Sequence, residues 1–453
     1  MLNESIIKNP VVIGLGRTGL SFVRYFKYMG LSHITVWDQN PSESALNALQ
    51  SIYPNVELLT DDISKCDFND YSALCLSPGV PRKALDALKK RPPIVSEFDI
   101  FSMVNHTPTI GVTGSNGKST TCHLLYAMAQ ANGKQAILAG NIGLPVLDAY
   151  LDVVQNQKKI DVYILEMSSF QLESIKYQQL DEAVVLNVKQ DHLDRYIDFY
   201  HYARTKNLIY HRAHFGLYNL DHMQFMPAVR TPIYQTFATN PAFKQEADFF
   251  FDVESQTIYH QQKVLAQTVY WHKKGKHYAE NVMAALALGL HQGWDMAKML
   301  AVAQTYIGLK HRCQWVATIK EVAWYNDSKA TNIDSVLSAI TGVAPQGRQL
   351  IWIAGGRGKD TDYHALKPAV QQHVKTALLI GEEAEAISNA LRDCVPVEFI
   401  EDLDQAVQRA YDIAKPGDVV LLSPACTSFD MFKNFEERGD CFIRNVNALK
   451  LNA

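Results

Sequence analysis

Residues 112–121 have the composition of a loop that binds phosphate groups. Their sequence, VTGSNGKSTT, has two glycines shortly before Lys118 and Ser119. Glycines let backbone N–H groups converge on phosphate oxygens, and a helix that begins at the lysine adds positive potential. The lysine reaches the β- and γ-phosphates of a nucleotide, and the serine hydroxyl binds Mg²⁺. Val112 stands where the common motif G-x-x-x-x-G-K-[ST] has its first glycine, so the spacing departs from that motif.

Two further polar sites follow apolar runs downstream. Glu166 ends the run DVYILE, and Asp191 and His192 follow the run AVVLNV. A carboxylate and an imidazole at the ends of adjacent strands, beside a phosphate loop, suit a divalent cation. Taken alone, Glu166 would be an ordinary capping or solvated residue and His192 an ordinary loop histidine. The phosphate loop upstream favours the cation site.

An earlier motif at residues 11–26, VVIGLGRTGLSFVRYF, has the pattern G-x-G-x-x-G between an apolar run and a helical segment, and Asp38 ends the next apolar run. This is the outline of a βαβ unit that binds a dinucleotide, with an acidic residue placed for a ribose hydroxyl. A nicotinamide-dependent oxidoreductase is therefore one interpretation of the chain. It leaves Lys118, Glu166 and His192 without a role.

Short β-rich runs alternate with longer segments of helical spacing, which predicts an α/β protein with mostly parallel sheets. The runs are VVIGLG, HITVWD, ALCLSPG, TIGVTG, DVYILE, AVVLNV, QLIWIAGG, TALLIG and DVVLLSP. Several end in Gly, Ser, Asp or Glu, and functional groups in open α/β sheets lie at those carboxyl ends. The stretch from about 215 to 275 is β-rich and irregular, and its residues indicate no particular chemistry.

The composition excludes several classes of protein. The chain has 453 residues, 47% of them hydrophobic, and a formal net charge of −4. With that charge and no basic runs, it lacks the electrostatic footprint of a protein that binds nucleic acid or a membrane surface. No stretch reaches the roughly 18 apolar residues of a membrane-spanning helix, and the first residues lack the features of a signal peptide. Seven scattered cysteines without a C-x-x-C pair indicate reduced thiols, so the cytoplasm is the predicted location.

Four motifs, GVTGSNGKSTT, GNIGLP, LEMSSFQLE and DHLDRY, together resemble the Mur ligase family. The enzymes of this family are cytoplasmic and ATP-dependent, and they add amino acids to the nucleotide-linked precursor of peptidoglycan. Their phosphate loop has the same short form. The resemblance extends from Val11 to about Arg438. The motifs NDSKATN at 326–332 and LSPACTSFDMFKNFEERG at 422–439 resemble the branch that adds D-glutamate to UDP-N-acetylmuramoyl-L-alanine through an acyl phosphate.

The resemblance implies three α/β domains. These are a Rossmann-like domain for the uridine nucleotide, a central P-loop-type ATPase domain and a C-terminal Rossmann-like domain for the amino acid. We expect their limits at residues 1–97, 98–308 and 309–453. The implied partners are small molecules only, namely ATP, UDP-N-acetylmuramoyl-L-alanine and D-glutamate, with two Mg²⁺ ions as cofactors. We expect the enzyme to be a monomer that binds no nucleic acid and has no membrane-spanning segment.

The resemblance also implies roles for individual residues. Those expected to bind ATP are Gly114, Ser115, Asn116, Gly117, Lys118, Ser119, Thr120, Asn281, Arg312 and Asp327. Those expected to bind the uridine-linked substrate are Arg17, Thr18, Asp38, Gln39, Ser77, Pro78, Gly79, Asn141, Ser168 and His192. Those expected around D-glutamate are Thr331, Lys359, Ser428, Phe429 and Phe435. The implied Mg²⁺ ligands are Ser119, Glu166, His192 and Lys206, and the implied catalytic residues are Lys118, His192, Lys206 and Arg312.

Lys206 matches the lysine that this family carbamylates, a change that turns a cationic side chain into an anionic oxygen ligand. A solvated helix residue is the plainer interpretation, and spacing alone does not exclude it. Three positions depart from the family pattern: Tyr278 replaces an expected Asn, Arg357 stands where an acidic residue can occur, and Phe429 replaces an aliphatic residue. A ligase that adds another amino acid, and a non-catalytic or folate-type relative with the same ATP loop, stay open as alternatives.

Overall fold

The computed structural model describes residues 8–54, 56–88, 91–191, 195–227, 230–271, 275–344, 349–358 and 362–451. The chain divides into two compact units. The first unit comprises Met1–Tyr270 and Tyr278–Gln304, and the second comprises Trp271–His277 and Thr305–Ala453. The domain limits expected at 97/98 and 308/309 stay a prediction.

The first unit begins with a five-stranded parallel sheet. Its strands are β1 (Pro10–Ile13), β2 (Thr35–Trp37), β3 (Glu57–Leu59), β4 (Ala73–Leu76) and β5 (Ile94–Val95), and its helices are α1 (Arg17–Tyr28), α2 (Glu43–Ile52) and α3 (Glu97–Val104). The strands are ordered β3-β2-β1-β4-β5, the order of a doubly wound nucleotide-binding sheet. Strands β1 and β4 are buried along their whole length, because both faces of the sheet are covered, so they are continuous apolar runs rather than alternating ones.

A nine-stranded sheet follows in the same unit. Its strands are β6 (Thr109–Thr113), β7 (Ala136–Gly140), β8 (Val162–Glu166), β9 (Leu180–Val185), β10 (Ala213–Asn219), β11 (Ile233–Ala238), β12 (Phe249–Asp252), β13 (Thr257–His260) and β14 (Lys263–Gln267). The order is β14-β13-β12-β11-β10-β9-β6-β8-β7. Pairing is parallel from β7 to β12 and antiparallel over the last three strands, β12 to β14.

Six helices alternate with or follow these strands. They are α4 (Lys118–Ala131), α5 (Val146–Gln155), α6 (Ser169–Leu172), α7 (Phe199–Asn207), α8 (Lys276–His291) and α9 (Met296–Thr305). Helix α8 is buried at every position from 278 to 289. A helix that is apolar on all sides belongs in the interior of a large domain, and α8 lies against the phosphate loop there.

The second unit contains a six-stranded sheet. Its strands are β15 (Gln314–Ile319), β16 (Val322–Asn326), β17 (Leu350–Gly355), β18 (Val374–Ile380), β19 (Val397–Phe399) and β20 (Val419–Leu422). Its helices are α10 (Ile333–Val343), α11 (Lys367–His373), α12 (Ala384–Ala390), α13 (Leu403–Ile413) and α14 (Phe435–Leu451). The order is β15-β16-β20-β17-β18-β19, and only the β15–β16 pair is antiparallel among the described strands.

The predicted α/β class is confirmed, and each of the nine predicted runs overlaps a strand. The β-rich stretch from about 215 to 275 forms most of β10 and all of β11 to β14. None of the helices in the described ranges combines the length and the apolar character needed to cross a lipid bilayer.

A close approach between backbone segments shapes the loop after β1. A Cβ on Gly19 in α1 would lie 2.0 Å from the carbonyl oxygen of Gly14. Ser77 Oγ, just past β4, donates a hydrogen bond to that same oxygen at 2.8 Å. Glycine at position 19 therefore lets α1 pack directly onto the end of the strand, as the third glycine of such a motif does.

Glu97, the first residue of α3, joins α1 to α5. Its Oε1 accepts hydrogen bonds from Ser21 Oγ at 2.9 Å and from the backbone N–H of Leu147 at 3.0 Å. Its Oε2 has no hydrogen-bond partner among the described residues. The residue is only 3% exposed, and this burial raises the pKa of Glu97 to about 7, since a carboxylate is poorly stabilised away from water.

This carboxyl group makes the stability of the first unit depend on pH. Because the pKa of Glu97 is near 4.5 when unshifted and about 7 in the folded chain, its stabilising contribution is complete below pH 4.5 and is lost as the pH rises to 7. Glu97→Gln cannot ionise. We expect the free energy of unfolding of the variant, relative to the unsubstituted protein, to rise by up to about 3 kcal/mol between pH 5 and pH 8, measured by urea unfolding.

Glu254→Gln is the control, because Glu254 is exposed in a turn of the same unit. Its free energy of unfolding should keep the pH dependence of the unsubstituted protein. A constant difference between Glu97→Gln and the unsubstituted protein over this pH range would contradict the assignment.

Candidate active site

The phosphate loop predicted from the sequence connects β6 to α4. The residue that precedes α4, Gly117, has φ +87°, in the left-handed region that favours glycine. A Cβ on Gly117 would also lie 2.2 Å from Asn281 Oδ1 on α8. Lys118 Nζ donates to the carbonyl oxygens of Gly114 at 2.7 Å and Ser115 at 2.8 Å. The ammonium group therefore lies within the curve of the loop.

Asn187, two residues past β9, fixes the shape of this loop. Its carbonyl oxygen accepts from the backbone N–H of Ser115 at 3.0 Å. Its side-chain amide accepts from Asn116 N at 2.9 Å and donates to Asn116 O at 3.1 Å. Ser115 Oγ lies 3.0 Å from the hydroxyl of Tyr202 on α7. Asn187 was not predicted from the sequence, because its role depends on the pairing of β6 with β9.

Glu166 lies at the carboxyl end of β8, is 1% exposed and connects α4 to the loop after β7. Ser119 Oγ donates to its Oε2 at 2.5 Å, and Asn141 Nδ2 donates to its Oε1 at 2.7 Å. A hydroxyl and a carboxylate beside a phosphate loop are ligands that Mg²⁺ takes, so Ser119 and Glu166 fit a magnesium site. His192 lies outside the described residues, and within those residues no group of three or more His, Cys, Asp and Glu side chains is arranged to hold a metal.

Lys206 on α7 is buried, with 1% exposure, beside the phosphate loop. Its Nζ donates to the carbonyl oxygen of Gly114 at 3.0 Å and lies 4.6 Å from the centroid of the Tyr202 ring. Burial lowers the pKa of Lys206 well below its ordinary value, and the nearby charge of Lys118 lowers it further, against an opposing effect of Asp191. The interpretation of Lys206 as a solvated helix residue is therefore wrong.

The glycine loop after β1 is held by Asp38 at the end of β2. Asp38 Oδ2 accepts from the backbone N–H of Leu15 at 2.6 Å, and its Oδ1 accepts from Asn40 N at 3.0 Å. Arg17 Nη2, from the first turn of α1, donates to the carbonyl oxygen of Gly143 at 2.6 Å. The glycine loop of the five-stranded sheet thus contacts the loop that follows β7 of the nine-stranded sheet.

A cavity of about 870 Å³ lies where these loops meet, and we call it the loop cavity. Its volume falls within the range of small-ligand sites. The residues predicted for the uridine-linked substrate that line it are Arg17, Thr18, Asp38, Ser77, Pro78, Gly79, Asn141 and Ser168. Lys118, Asp191 and Lys206 line it too. Gln39 is exposed and is not among the lining residues.

Arg195, the arginine of the motif DHLDRY, also lines the loop cavity. Its Nε and Nη2 donate to the two carboxylate oxygens of Glu173 at 3.1 and 2.8 Å, and its Nη1 donates to the carbonyl oxygen of Pro78 at 3.1 Å. The guanidinium carbon lies 3.9 Å from the centroid of the Phe170 ring. The motif DHLDRY does not by itself predict these contacts of Arg195.

In the second unit, Asp327 lies just past β16, and both of its carboxylate oxygens accept hydrogen bonds. Oδ1 accepts from the backbone N–H of Cys313 at 2.9 Å, and Oδ2 accepts from Ser423 Oγ at 3.0 Å. Arg312 lies between two residues in the left-handed region, His311 with φ +63° and Cys313 with φ +47°. Such conformations cost about 1–3 kcal/mol each. The hydrogen bond from Cys313 to Asp327 helps to hold this backbone conformation. Arg312 and Asp327, both predicted to bind ATP, are therefore connected through Cys313.

Arg438 on α14 is fully buried and gathers several loops of the second unit. Its guanidinium donates to Ser328 Oγ at 3.0 Å and to the carbonyl oxygens of Ser328, Cys426 and Thr427 at 2.9–3.1 Å. Burial lowers the pKa of Arg438 to about 10, so the group stays charged at neutral pH. This role of Arg438 was not predicted from the sequence.

Three of the five residues expected around D-glutamate lie on the segments that this guanidinium and Ser328 join. Thr331 follows β16, Ser428 follows β20 and Phe435 begins α14, whose first carbonyl oxygen accepts from the Ser328 hydroxyl at 2.8 Å. Ser428 is buried, whereas Phe429 is 61% exposed. Lys359 lies outside the described residues.

The departures from the expected pattern have structural consequences. Tyr278 is buried, and its hydroxyl donates to the carbonyl oxygen of Ala303 at 2.6 Å, which connects α8 to α9. Asn281, one helical turn later, lies against the phosphate loop. Arg357 forms a paired contact with the exposed carboxylate of Glu382, at 2.9 and 2.8 Å.

Three family models match the chain. Residues 8–91 match "Mur ligase MurD-like, N-terminal domain", residues 112–289 match "Mur ligase middle domain", and residues 311–426 match "Mur ligase, glutamate ligase domain". The three matches follow the five-, nine- and six-stranded sheets in order.

Curated relatives match over the whole length. The UDP-N-acetylmuramoylalanine–D-glutamate ligase of Coxiella burnetii (strain RSA 331 / Henzerling II) is 37% identical, covering 99% of this chain and 100% of that protein. The ligase of the same name from Nitrosococcus oceani is 37% identical, with 99% of each chain covered. Among solved structures, the MurF ligase of Thermotoga maritima in complex with ADP has a TM-score of 0.61 at 14% identity, covering 99% of this chain and 100% of that one. That identity shows a shared fold alone.

Proposed function

This chain belongs to the Mur ligase family, and we propose that it joins D-glutamate to UDP-N-acetylmuramoyl-L-alanine while ATP is converted to ADP and phosphate. The observation that carries the proposal is the loop cavity, where a phosphate loop, a buried lysine and a second glycine loop meet. The names of the full-length relatives support the choice of D-glutamate as the amino acid.

An amide bond does not form between a carboxylate and an amine in water unless the acyl group is activated. In the proposed order, the alanine carboxylate of the precursor attacks the γ-phosphate of ATP, which yields an acyl phosphate and ADP. The amine of D-glutamate then attacks the acyl carbon, and phosphate leaves the tetrahedral intermediate. Phosphoryl transfer depends on positioning and on charge neutralisation. We assign these tasks to Lys118 and to Arg312.

The remaining nucleotide contacts are the ones that the family resemblance implies. The N–H groups of residues 117–120, where α4 begins, would bind phosphate oxygens, with Asn281 near the adenine and Asp327 at the ribose. Ser119 and Glu166 would hold a first Mg²⁺, with His192 and a carbamate on Lys206 at a second. When bound, Mg²⁺ neutralises the charge of the phosphate oxygens that it contacts.

The uridine-linked substrate would occupy the loop cavity. Arg17 and Thr18 would face its diphosphate at the start of α1, where backbone N–H groups favour an anion. Asp38 and Gln39 would lie toward the uracil, with residues 77–79 on the opposite side. Asn141 and Ser168 would lie toward the reacting carboxylate.

D-Glutamate needs donors for two carboxylates. Thr331, Ser428 and Lys359 supply a hydroxyl, a second hydroxyl and an ammonium group, and Phe435 and Phe429 would border the side chain. Arg438 acts through Ser328 and the loop carbonyl groups, so we consider it a positioning residue. Three domains with the limits given above, a monomeric enzyme and a cytoplasmic location complete the proposal.

Amino-acid selectivity tests the proposed function directly. ATP turnover in the presence of UDP-N-acetylmuramoyl-L-alanine should depend on D-glutamate and be absent with L-glutamate, L-lysine or diaminopimelate. Phosphate release is the measurement. Lys118→Ala is the matched control, and it should lose roughly 10²-fold or more in turnover, as removal of a comparable charge-stabilising donor does. Turnover with another amino acid, or near-normal phosphate release from Lys118→Ala, would contradict the proposal.

Chemical rescue tests the role of Lys206. A carbamate on Lys206 would supply an oxygen anion beside the phosphate loop, so Lys206→Ala should lose most of its D-glutamate-dependent phosphate release and regain part of it when short carboxylic acids are added. Lys118→Ala should show no such recovery, because a carboxylate cannot replace its ammonium group. Unchanged turnover in Lys206→Ala, or a loss that carboxylic acids do not reverse, would rule out the carbamate.

A further inference from the structure

A second cavity, of about 970 Å³, lies on the other side of α7 from the loop cavity. Its wall consists of α7, the turn that leads from α7 to β10, and the segments 224–227 and 230–232. On α7, Tyr202 and Lys206 line the loop cavity, whereas Ala203 and Asn207 line the second one. The proposed ligase reaction makes no use of this second cavity.

The second cavity is lined by basic side chains, and we call it the basic cavity. These are Arg204, His211, Arg212, His214 and Arg230. Its lining, as far as the described residues form it, contains no Asp or Glu. On a chain with a formal net charge of −4, this is a local concentration of positive charge, and such a concentration attracts anions.

The three arginines keep their charge available to a ligand. Within the described part of the chain, none of them forms an ion pair with an Asp or Glu side chain. The guanidinium carbon of Arg230 lies 5.0 Å from the ring centroid of Tyr234 and 5.8 Å from that of Tyr218, contacts that orient it without neutralising it. A guanidinium group donates two parallel hydrogen bonds to a phosphate.

Apolar side chains lie beside the arginines in the same cavity. Tyr200 is 66% exposed and Leu208 is 38% exposed, and Phe225 and Met226 complete this side. Exposed aromatic and aliphatic groups next to a cluster of cations fit a ligand that has an apolar portion as well as an anionic one.

We propose that the basic cavity binds a small molecule that carries a phosphate monoester or diphosphate next to an aromatic or apolar portion. Three guanidinium groups match an anion with two or more negative charges, which a single carboxylate does not carry. The volume of the cavity lies within the range of small-ligand sites. Because α7 lies between the two cavities, this molecule does not compete for the loop cavity.

Inorganic pyrophosphate is the first probe. It is titrated calorimetrically into the full-length enzyme saturated with ADP and UDP-N-acetylmuramoyl-L-alanine, so that the phosphate loop and the proposed diphosphate site of the loop cavity are already occupied. We expect one pyrophosphate to bind per chain, and the triple variant Arg204→Gln/Arg212→Gln/Arg230→Gln should bind it roughly tenfold or more weakly, as the loss of charged hydrogen bonds predicts. Arg204→Gln alone, which changes an exposed position of α7, should show a smaller loss in the same direction.

A variant with the same change in net charge, Lys263→Gln/Lys298→Gln/Arg392→Gln, is the control, because these three exposed residues do not line either cavity. Its pyrophosphate affinity should equal that of the unsubstituted enzyme. Equal binding by both triple variants, or no binding by the unsubstituted enzyme, would overturn the proposal. Unchanged thermal unfolding midpoints exclude misfolding as the cause of a loss.

Phenyl phosphate and inorganic phosphate test the apolar part of the ligand. Under the same conditions, phenyl phosphate should bind more tightly, and Tyr200→Ala should reduce the difference between the two affinities. Equal affinities for both probes would remove the apolar portion from the proposed ligand.

Discussion

The carbonyl oxygen of Gly114 accepts hydrogen bonds from two lysines, and the arrangement of the candidate site depends on this shared acceptor. Lys118 reaches it from α4 and Lys206 reaches it from α7. Two ammonium groups this close repel each other, and water is excluded around Lys206, so its charged form is disfavoured. Two lysine side chains thus converge on one backbone carbonyl group of the loop, whose shape Asn187 helps to fix. An anion with several phosphate oxygens relieves the repulsion.

This concentration of charge is possible because parallel strands end at a common edge. Strands β6, β8 and β9 place the phosphate loop, Glu166 and Asn187 at the same edge of the nine-stranded sheet. The five-stranded sheet supplies its own strand ends, and Arg17 and Arg195 provide contacts between the two sets of loops. Several functional side chains therefore follow a buried strand or begin a helix, whereas Lys206 and Asn281 lie further along α7 and α8.

Much of this was predictable from local sequence, because buried parallel strands are continuous apolar runs and a phosphate loop must contain glycines at fixed spacing. Apart from β10 to β14, which form the stretch predicted only as β-rich, the strands not predicted from the sequence are β3, β5, β7, β15, β16 and β19. All but β16 lie at sheet edges. An edge strand has a neighbouring strand on one side and is less buried than a central strand, so its apolar pattern is weaker. The motif G-x-G-x-x-G indicates a strand–helix turn that binds an anion, but it does not specify a reaction. The oxidoreductase interpretation arose for this reason.

Side chains that act through contacts distant in sequence could not be predicted. Asn187 shapes the phosphate loop from 71 positions away, and Arg438 gathers carbonyl groups from loops up to 110 positions away. Asn187 belongs to no local pattern with a chemical meaning of its own, and the motif at 422–439 that contains Arg438 does not indicate what the arginine contacts. Their roles exist only once strand order and helix packing have brought the segments together.

Helix α7 is only nine residues long, and most of its positions are occupied by a specific contact. Two of its residues, Tyr202 and Lys206, line the loop cavity. Four others line the basic cavity, namely Tyr200, Ala203, Arg204 and Asn207. Phe199 packs edge-on against Phe225, and the Thr205 hydroxyl donates to the backbone carbonyl of His201 at 2.9 Å. In evolutionary terms, a helix with so few uncommitted positions has little mutational tolerance. Sequence drift within α7 should therefore be slower than in a surface helix of the same length.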